Sequence, residues 1–228
     1  MAPSNIYSNV AIQVSVNYVL VGTRPNIAYS VNCLAWFSSK PSPINWKALK
    51  HLLGYLAATK DRVLNISPKT SGTVPVECFV DANWGGPSSQ STYGVLMQQY
   101  GCPIMWLSRR LVTAASLTCQ AEYMALGHAI QHSLWIRNLL ANILGVGYPI
   151  QIFCDNQLAA KIGCKESSNK RTHHVKREFY ITNQAMHKKT SSRWIPGMAQ
   201  LADVLTKALG KGAHEKAGFI VQGHSVGS

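Results

Sequence analysis

From Val10 to Leu20 every even position is apolar, while Gln13, Ser15 and Asn17 are polar, a period of two that predicts a β-strand. Beyond Pro25 the period lengthens. Ile27, Val31, Leu34 and Phe37 fall at helical spacing, and a second helix is predicted from Ser42 as N-cap, with Pro43 in its first turn and Trp46, Leu49, Leu52, Leu53 and Leu56 on one face. Residues 69 to 75 are polar and rich in Gly, Pro, Ser and Thr, so a domain boundary is expected there. From Val76 to Trp84 the run is β-branched and aromatic where it is not polar, a strand that carries Asp81 towards its end. Residues 91 to 100 and 103 to 110 read as two more strands joined at Gly101-Cys102, completing an antiparallel meander. A long helix follows from about Thr118 to Leu144, with Glu122 in its first turn and Gly145 and Gly147 as its stop. Ile150 to Cys154 is a short strand ending at Asp155, followed by a helical segment from about Gln157 to Gly163. Ser192 to Ile195 is a last strand, and Leu201 to Leu209 a last helix carrying Asp203. Residues 211 to 228 are rich in Gly with little apolar pattern and are expected to be a loose tail.

Charge narrows the class of partner. The 228 residues hold 22 Lys plus Arg against nine Asp plus Glu, a formal net charge of +13, which favours a polyanion such as nucleic acid. Lys161 to Arg193 is the most basic stretch. No run of 18 apolar residues and no basic segment followed by an apolar one occurs, so neither a membrane span nor a secretory signal is predicted, and the expected location is intracellular, cytoplasmic or nuclear. Six cysteines without a C-x-x-C pair read as buried thiols. His128 and His132 lie four apart on a helix without an accompanying Glu, so they read as surface or partly buried histidines. Trp84, Trp106, Trp135 and Trp194 are assigned to the core.

Four of the nine acids stand at element ends: Asp81, Glu122, Asp155 and Asp203. An open sheet with its first and fourth strands adjacent and parallel brings Asp81 and Asp155 to one edge, where ligands of such sheets bind. Four clustered carboxylates in so basic a chain make a negative well suited to a hard divalent cation such as Mg²⁺.

The motifs carry a resemblance. Phe-Val-Asp-Ala-Asn-Trp (79 to 84), Ser-Thr-x-Gly (91 to 94), Trp-x-Ser-Arg-Arg (106 to 110), Ala-Glu-Tyr-Met-Ala-Leu (121 to 126), Trp-Ile-Arg-Asn-Leu-Leu (135 to 140), Cys-Asp-Asn-Gln-x-Ala (154 to 159), Arg-Thr-x-His-Val (171 to 175) and Gln-Leu-Ala-Asp-Val-Leu-Thr-Lys (200 to 207) together resemble the ribonuclease H domain of copia-type LTR retrotransposon polyproteins. Residues 22 to 29 and 46 to 56 resemble the segment joining the reverse transcriptase to that domain, which is helical in the family. The resemblance implies an α/β, ribonuclease H-like mixed five-stranded sheet, with strands 1 to 3 antiparallel and strands 4 and 5 parallel to strand 1. Helices flank the sheet, and a small helical segment over residues 1 to 70 precedes a domain over 74 to 210.

By the same resemblance Asp81 bridges two Mg²⁺ ions, with Mn²⁺ as a substitute, while Glu122 and Asp155 complete one site and Asp203 the other. The reaction implied is hydrolysis of the RNA strand of an RNA–DNA hybrid with ions roughly 4 Å apart. Lys161, Lys165, Lys170, Arg171, His174, Lys176 and Arg177 are expected to hold phosphates, and His173 to serve a structural or phosphate-contacting role. No small-molecule cofactor is implied, and a reverse transcriptase domain is an expected partner within a parent polyprotein. The departures from the family pattern (Gln120, Asn83, Lys176, Tyr180 and the run 197 to 199) remove no presumed metal ligand, but they leave a non-cutting, nucleic-acid-binding remnant as the alternative.

Overall fold

The strand read around Asp81 is β1 (Val76–Asn83), and it is the centre of the sheet. A computed structural model describes residues 4–68, 76–85, 90–111, 118–145, 147–157 and 190–224, without the side chains of 4–11 and 119. β2 (Thr92–Gln99) and β3 (Cys102–Arg110) continue from β1 as the expected antiparallel meander, turning at Tyr100 and Gly101, both with positive φ. β4 (Ile150–Cys154) lies parallel to β1 on its other side, and β5 (Thr190–Trp194) lies parallel to β4. The order β3-β2-β1-β4-β5 is the mixed five-stranded sheet of the ribonuclease H-like class.

Alternation along β1 divides the two layers, because successive side chains point to opposite faces. Val76, Cys78, Val80 and Ala82 join Val95, Met97, Ile150 and Ile152 under the long helix α4 (Thr118–Leu144), which contributes Ala121, Ala125, Leu126 and Ala129. The run of alanines on that stripe lets the helix lie close to the strands. The other layer holds Phe79 and Leu96, packed with Ala28, Leu20, Val204, Leu205 and Val221. Phe79 stacks on Phe153 with centroids 5.0 Å apart.

The N-terminal residues do not form the strand that their period of two predicts. α1 (Ser4–Gly22) is helical, and its inner stripe is Ile12, Val16, Val19 and Leu20, set at helical spacing against Ile27, Val31 and Leu52. Val14 and Tyr18 of the alternating set face solvent, 65% and 82% exposed. Packing of one stripe has overridden the alternation. A 3₁₀ turn (Pro25–Ile27) then leads into α2 (Ala28–Ala35), and α3 (Pro43–Ala58) starts where expected, with the Ser42 hydroxyl accepting from the Asn45 amide at 3.4 Å.

Residues 211–224 are ordered too. α5 (Lys211–Val221) buries Gly218 and Val221, and Gln222 beyond it is 1% exposed. What holds this helix is polar as well as apolar. Arg24, itself buried, donates to the Thr59 carbonyl (3.0 Å), the Thr59 hydroxyl (2.7 Å) and Asn26 Oδ1 (3.3 Å). Asn26 Nδ2 donates to the Tyr55 hydroxyl at 2.6 Å, and His214 of α5 bonds the Asn26 carbonyl at 3.0 Å. The Asn65 amide donates to the Gln222 carbonyl at 2.8 Å, beside Gly223, where φ is +86° and an added Cβ would stand 2.1 Å from the Asn65 oxygen. The expected loose tail is therefore corrected over 211–224: its few apolar residues find partners in the N-terminal segment, which a local pattern cannot reveal. The segment read as a boundary, 69 to 75, lies outside the described residues.

Deleting residues 211–228 should cost at least about 2 kcal/mol of unfolding free energy, since one buried aliphatic side chain accounts for about that much and the partners of Asn26 and Asn65 are lost with it. Urea unfolding of the full and shortened chains measures this. A truly loose tail would leave the midpoint unchanged.

Candidate active site

Asp81 comes near the end of β1, and Asp155 directly follows β4, the strand parallel to it, so the two carboxylates share one edge of the sheet. α4 crosses beneath that edge and presents Glu122, which lies a full turn inside the helix rather than in its first turn. One carboxylate oxygen from each of Asp81, Glu122 and Asp155 lies within 4.8 Å of the others. Asp81 and Glu122 are buried and Asp155 is half-buried.

Three acids this close cannot all be ionised cheaply without a cation. Burial, with Asp81 and Asp155 adding, pushes Glu122 up to about 9, against a hydrogen bond from the Ala82 amide and the more distant Lys207 charge. Asp155 is raised by burial and by Asp81. Such a buried, all-oxygen set fits a hard divalent ion, which would replace the proton on Glu122.

Asp81 is held from the other layer. Opposite it in the β1–β2 register stands Gly94, and a Cβ there would meet Leu205 Cβ at 2.6 Å and Thr206 Cγ2 at 2.9 Å. The missing side chain lets the 3₁₀ turn Leu201–Leu205 settle on the sheet, so that Thr206 Oγ1 donates to Asp81 Oδ2. Gln200 fixes the start of this turn: its Nε2 donates to the Val80 carbonyl at 2.8 Å, and its Oε1 accepts from the Ala202 amide at 3.1 Å. Asn83 Nδ2 reaches the Thr206 carbonyl at 3.4 Å. On the far side, Trp194 Nε1 donates to the Asp155 carbonyl at 2.9 Å, and the Ile195 amide donates to the Cys154 carbonyl at 2.9 Å, tying the ends of β4 and β5 together.

Asp203 stands apart from the triad. It lies on the 3₁₀ turn, not on the expected helix, and its Oδ1 is 2.7 Å from Lys207 Nζ, which also lies 3.8 Å from Asp81 Oδ2. Burial raises Asp203 to about 6, with Asp81 and Asp155 adding and Lys207 opposing. Lys161, Lys165, Lys170, Arg171, His173, His174, Lys176 and Arg177 all lie outside the described residues, as does the helical segment expected from about Gln157 to Gly163 beyond its first residue. His128 stacks on Tyr93 at 4.7 Å and belongs to no group of metal-ligating residues among those described. Of the tryptophans assigned to the core, Trp84, Trp135 and Trp194 are 47%, 59% and 43% exposed; Trp106 is half-buried and donates to the Leu20 carbonyl at 2.9 Å. Sequence reasoning passed over Gly94, Gln200, Thr206 and Lys207, although all four lie inside motifs it had singled out.

Over 200 residues the chain is 30% identical to the retrovirus-related Pol polyprotein from transposon RE2 of Arabidopsis thaliana, a match covering 86% of this chain and 14% of the polyprotein. The chain belongs to the Pol polyproteins of copia-type retrotransposons. It thus spans a small part of those polyproteins, and what the whole of them does is not carried over with the likeness. The chain is also 36% identical over 124 residues to secreted RxLR effector protein 161 of Plasmopara viticola, covering 54% of this chain and 86% of that protein. Its structure overlays that of LC11-RNase H1 with a TM-score of 0.47 and 17% identity, covering 64% of this chain and 99% of that one. No protein-family model matches the chain.

Two outcomes follow for the ion-free protein. Between the ordinary carboxyl value of 4.5 and about 9, the folded chain keeps a proton on Glu122 that the unfolded chain has released. Stability therefore falls as pH rises through that window. Glu122→Gln should flatten the slope, as should millimolar Mn²⁺, both read by thermal unfolding at pH 6 and pH 8.5. Gly94→Ala should destabilise by about 1 to 3 kcal/mol, since its Cβ would meet Leu205 Cβ, Thr206 Cγ2 and the Ala202 carbonyl, all short groups close to the backbone of the turn; denaturant titration measures it.

Proposed function

We propose that the chain is a ribonuclease H-type endonuclease that hydrolyses the RNA strand of RNA–DNA hybrids with two divalent ions, Mg²⁺ or in its place Mn²⁺. The observation that carries this reading is the convergence of Asp81, Glu122 and Asp155 within 4.8 Å at the shared edge of parallel strands. Divalent ions held by such a set supply an activated water and charge stabilisation at the departing 3′ oxygen. Asp81, oriented by Thr206, would be the shared ligand; Glu122 and Asp155 would complete one site with it, and Asp203 would serve the other. The Trp194 contact to the Asp155 backbone fixes where that acid can point.

The net charge of +13 supports a nucleic-acid substrate. Lys161, Lys165, Lys170, Arg171, His174, Lys176 and Arg177 are proposed to hold its phosphates, which makes affinity salt-sensitive and largely independent of sequence. An A-like hybrid exposes 2′-hydroxyls in a wide minor groove, and contacts to them select the RNA strand. Within a parent Pol polyprotein, a reverse transcriptase would supply such hybrids. No helix among the described residues is long and apolar enough to cross a membrane.

A labelled RNA–DNA hybrid incubated with Mg²⁺ should be cut by the wild type and at least about a hundredfold more slowly by Asp81→Asn, a loss on the scale of disturbing a metal centre. Equal hybrid binding by both, with no cleavage by the wild type, would replace the nuclease with a binding protein.

A further inference from the structure

We propose that Lys207 is the built-in counter-ion of the acid site: its ammonium bridges Asp203 and Asp81 in the ion-free protein and has to withdraw before a divalent ion can use Asp203. This rests on the metal-site reading above and adds to it an order of binding.

The geometry is local. The Thr206 and Lys207 amides both donate to the Asp203 carbonyl, at 3.1 and 3.2 Å, and this turn brings the lysine back over the acid four residues before it. Lys207 Nζ then lies 2.7 Å from Asp203 Oδ1 and 3.8 Å from Asp81 Oδ2. The Asp81 side chain is 3% exposed and that of Asp203 22%, so the contact removes much of the charge cost of burying them. Lys207 itself is 38% exposed, and its ammonium is a compact charge on a flexible stem that can swing into water.

The triad needs none of this to change. Asp81, Glu122 and Asp155 already converge without Asp203, so a first ion leaves the Lys207–Asp203 contact in place. A second ion at Asp203 and Asp81 competes with the ammonium for the same oxygens. Two cations cannot share them, because a monovalent and a divalent charge a few ångströms apart repel even in water. Lys207 is thus a positioning residue that keeps the second site closed.

The test is a Mn²⁺ titration of the full chain at fixed pH, with free Mn²⁺ followed by electron paramagnetic resonance. The wild type should bind one ion and, much more weakly, a second. Lys207→Met should tighten the second ion at least about tenfold, while Lys207→Arg, which keeps the charge, should behave as wild type. Should Lys207→Met not fold, Lys207→Gln carries the same expectation. An unchanged second affinity without the charge, or equal tightening in Lys207→Arg, overturns the proposal. Failure of the metal-site reading itself looks different: no Mn²⁺ binds to any of these proteins, or Asp81→Asn binds as the wild type does.

Discussion

Asp81 and Glu122 are two buried carboxylates that share a neighbourhood with Asp155, and the surrounding structure answers to that repulsion. Held without an ion, the set survives by keeping a proton on Glu122 and by drawing in Lys207, whose pKa rises because Asp81, Asp203 and Asp155 outweigh the cost of its burial. Both devices are reversible at modest cost, as a cation site requires. An acid trio locked by permanent salt bridges would be more stable and less able to take up an ion.

Placing those acids takes both layers of the sheet. The α4 layer supplies Glu122 through an alanine stripe that lets the helix lie close to β1. The opposite layer positions Asp81 through Thr206, which depends on Gly94 leaving room and on Gln200 holding the turn to β1. That second layer is completed by α1, α2 and α5, joined by the buried Arg24 and Asn26 network. The N-terminal segment therefore packs on the layer that orients Asp81.

What could be read in the sequence follows the range of the interaction. Strand ends carrying Asp81 and Asp155, and a helix opening near Glu122, are local signals, and the parallel pairing of strands 1 and 4 is enough to bring them together. The Ser42 cap and Pro43 were equally local. Residues 10 to 20 misled because their apolar positions fit two periods, and only packing against Ile27, Val31 and Leu52 selects the helix while leaving Val14 and Tyr18 in water. The C-terminal helix was invisible because its partners, Asn26 and Asn65, lie more than 150 residues away. Lys207 is an intermediate case: its spacing from Asp203 was on the page, but its reach to Asp81 depends on a 3₁₀ turn that the apolar pattern presents as a helix.

The claim on which the rest turns is that the three converging carboxylates hold a divalent ion together. Crystals grown with Mn²⁺ and measured for anomalous scattering address it directly. An anomalous peak is expected within about 2.0 to 2.6 Å of oxygens from Asp81, Glu122 and Asp155, the range of hard-cation coordination. A peak confined to other residues, or carboxylates that stay splayed and empty at millimolar Mn²⁺, would contradict it.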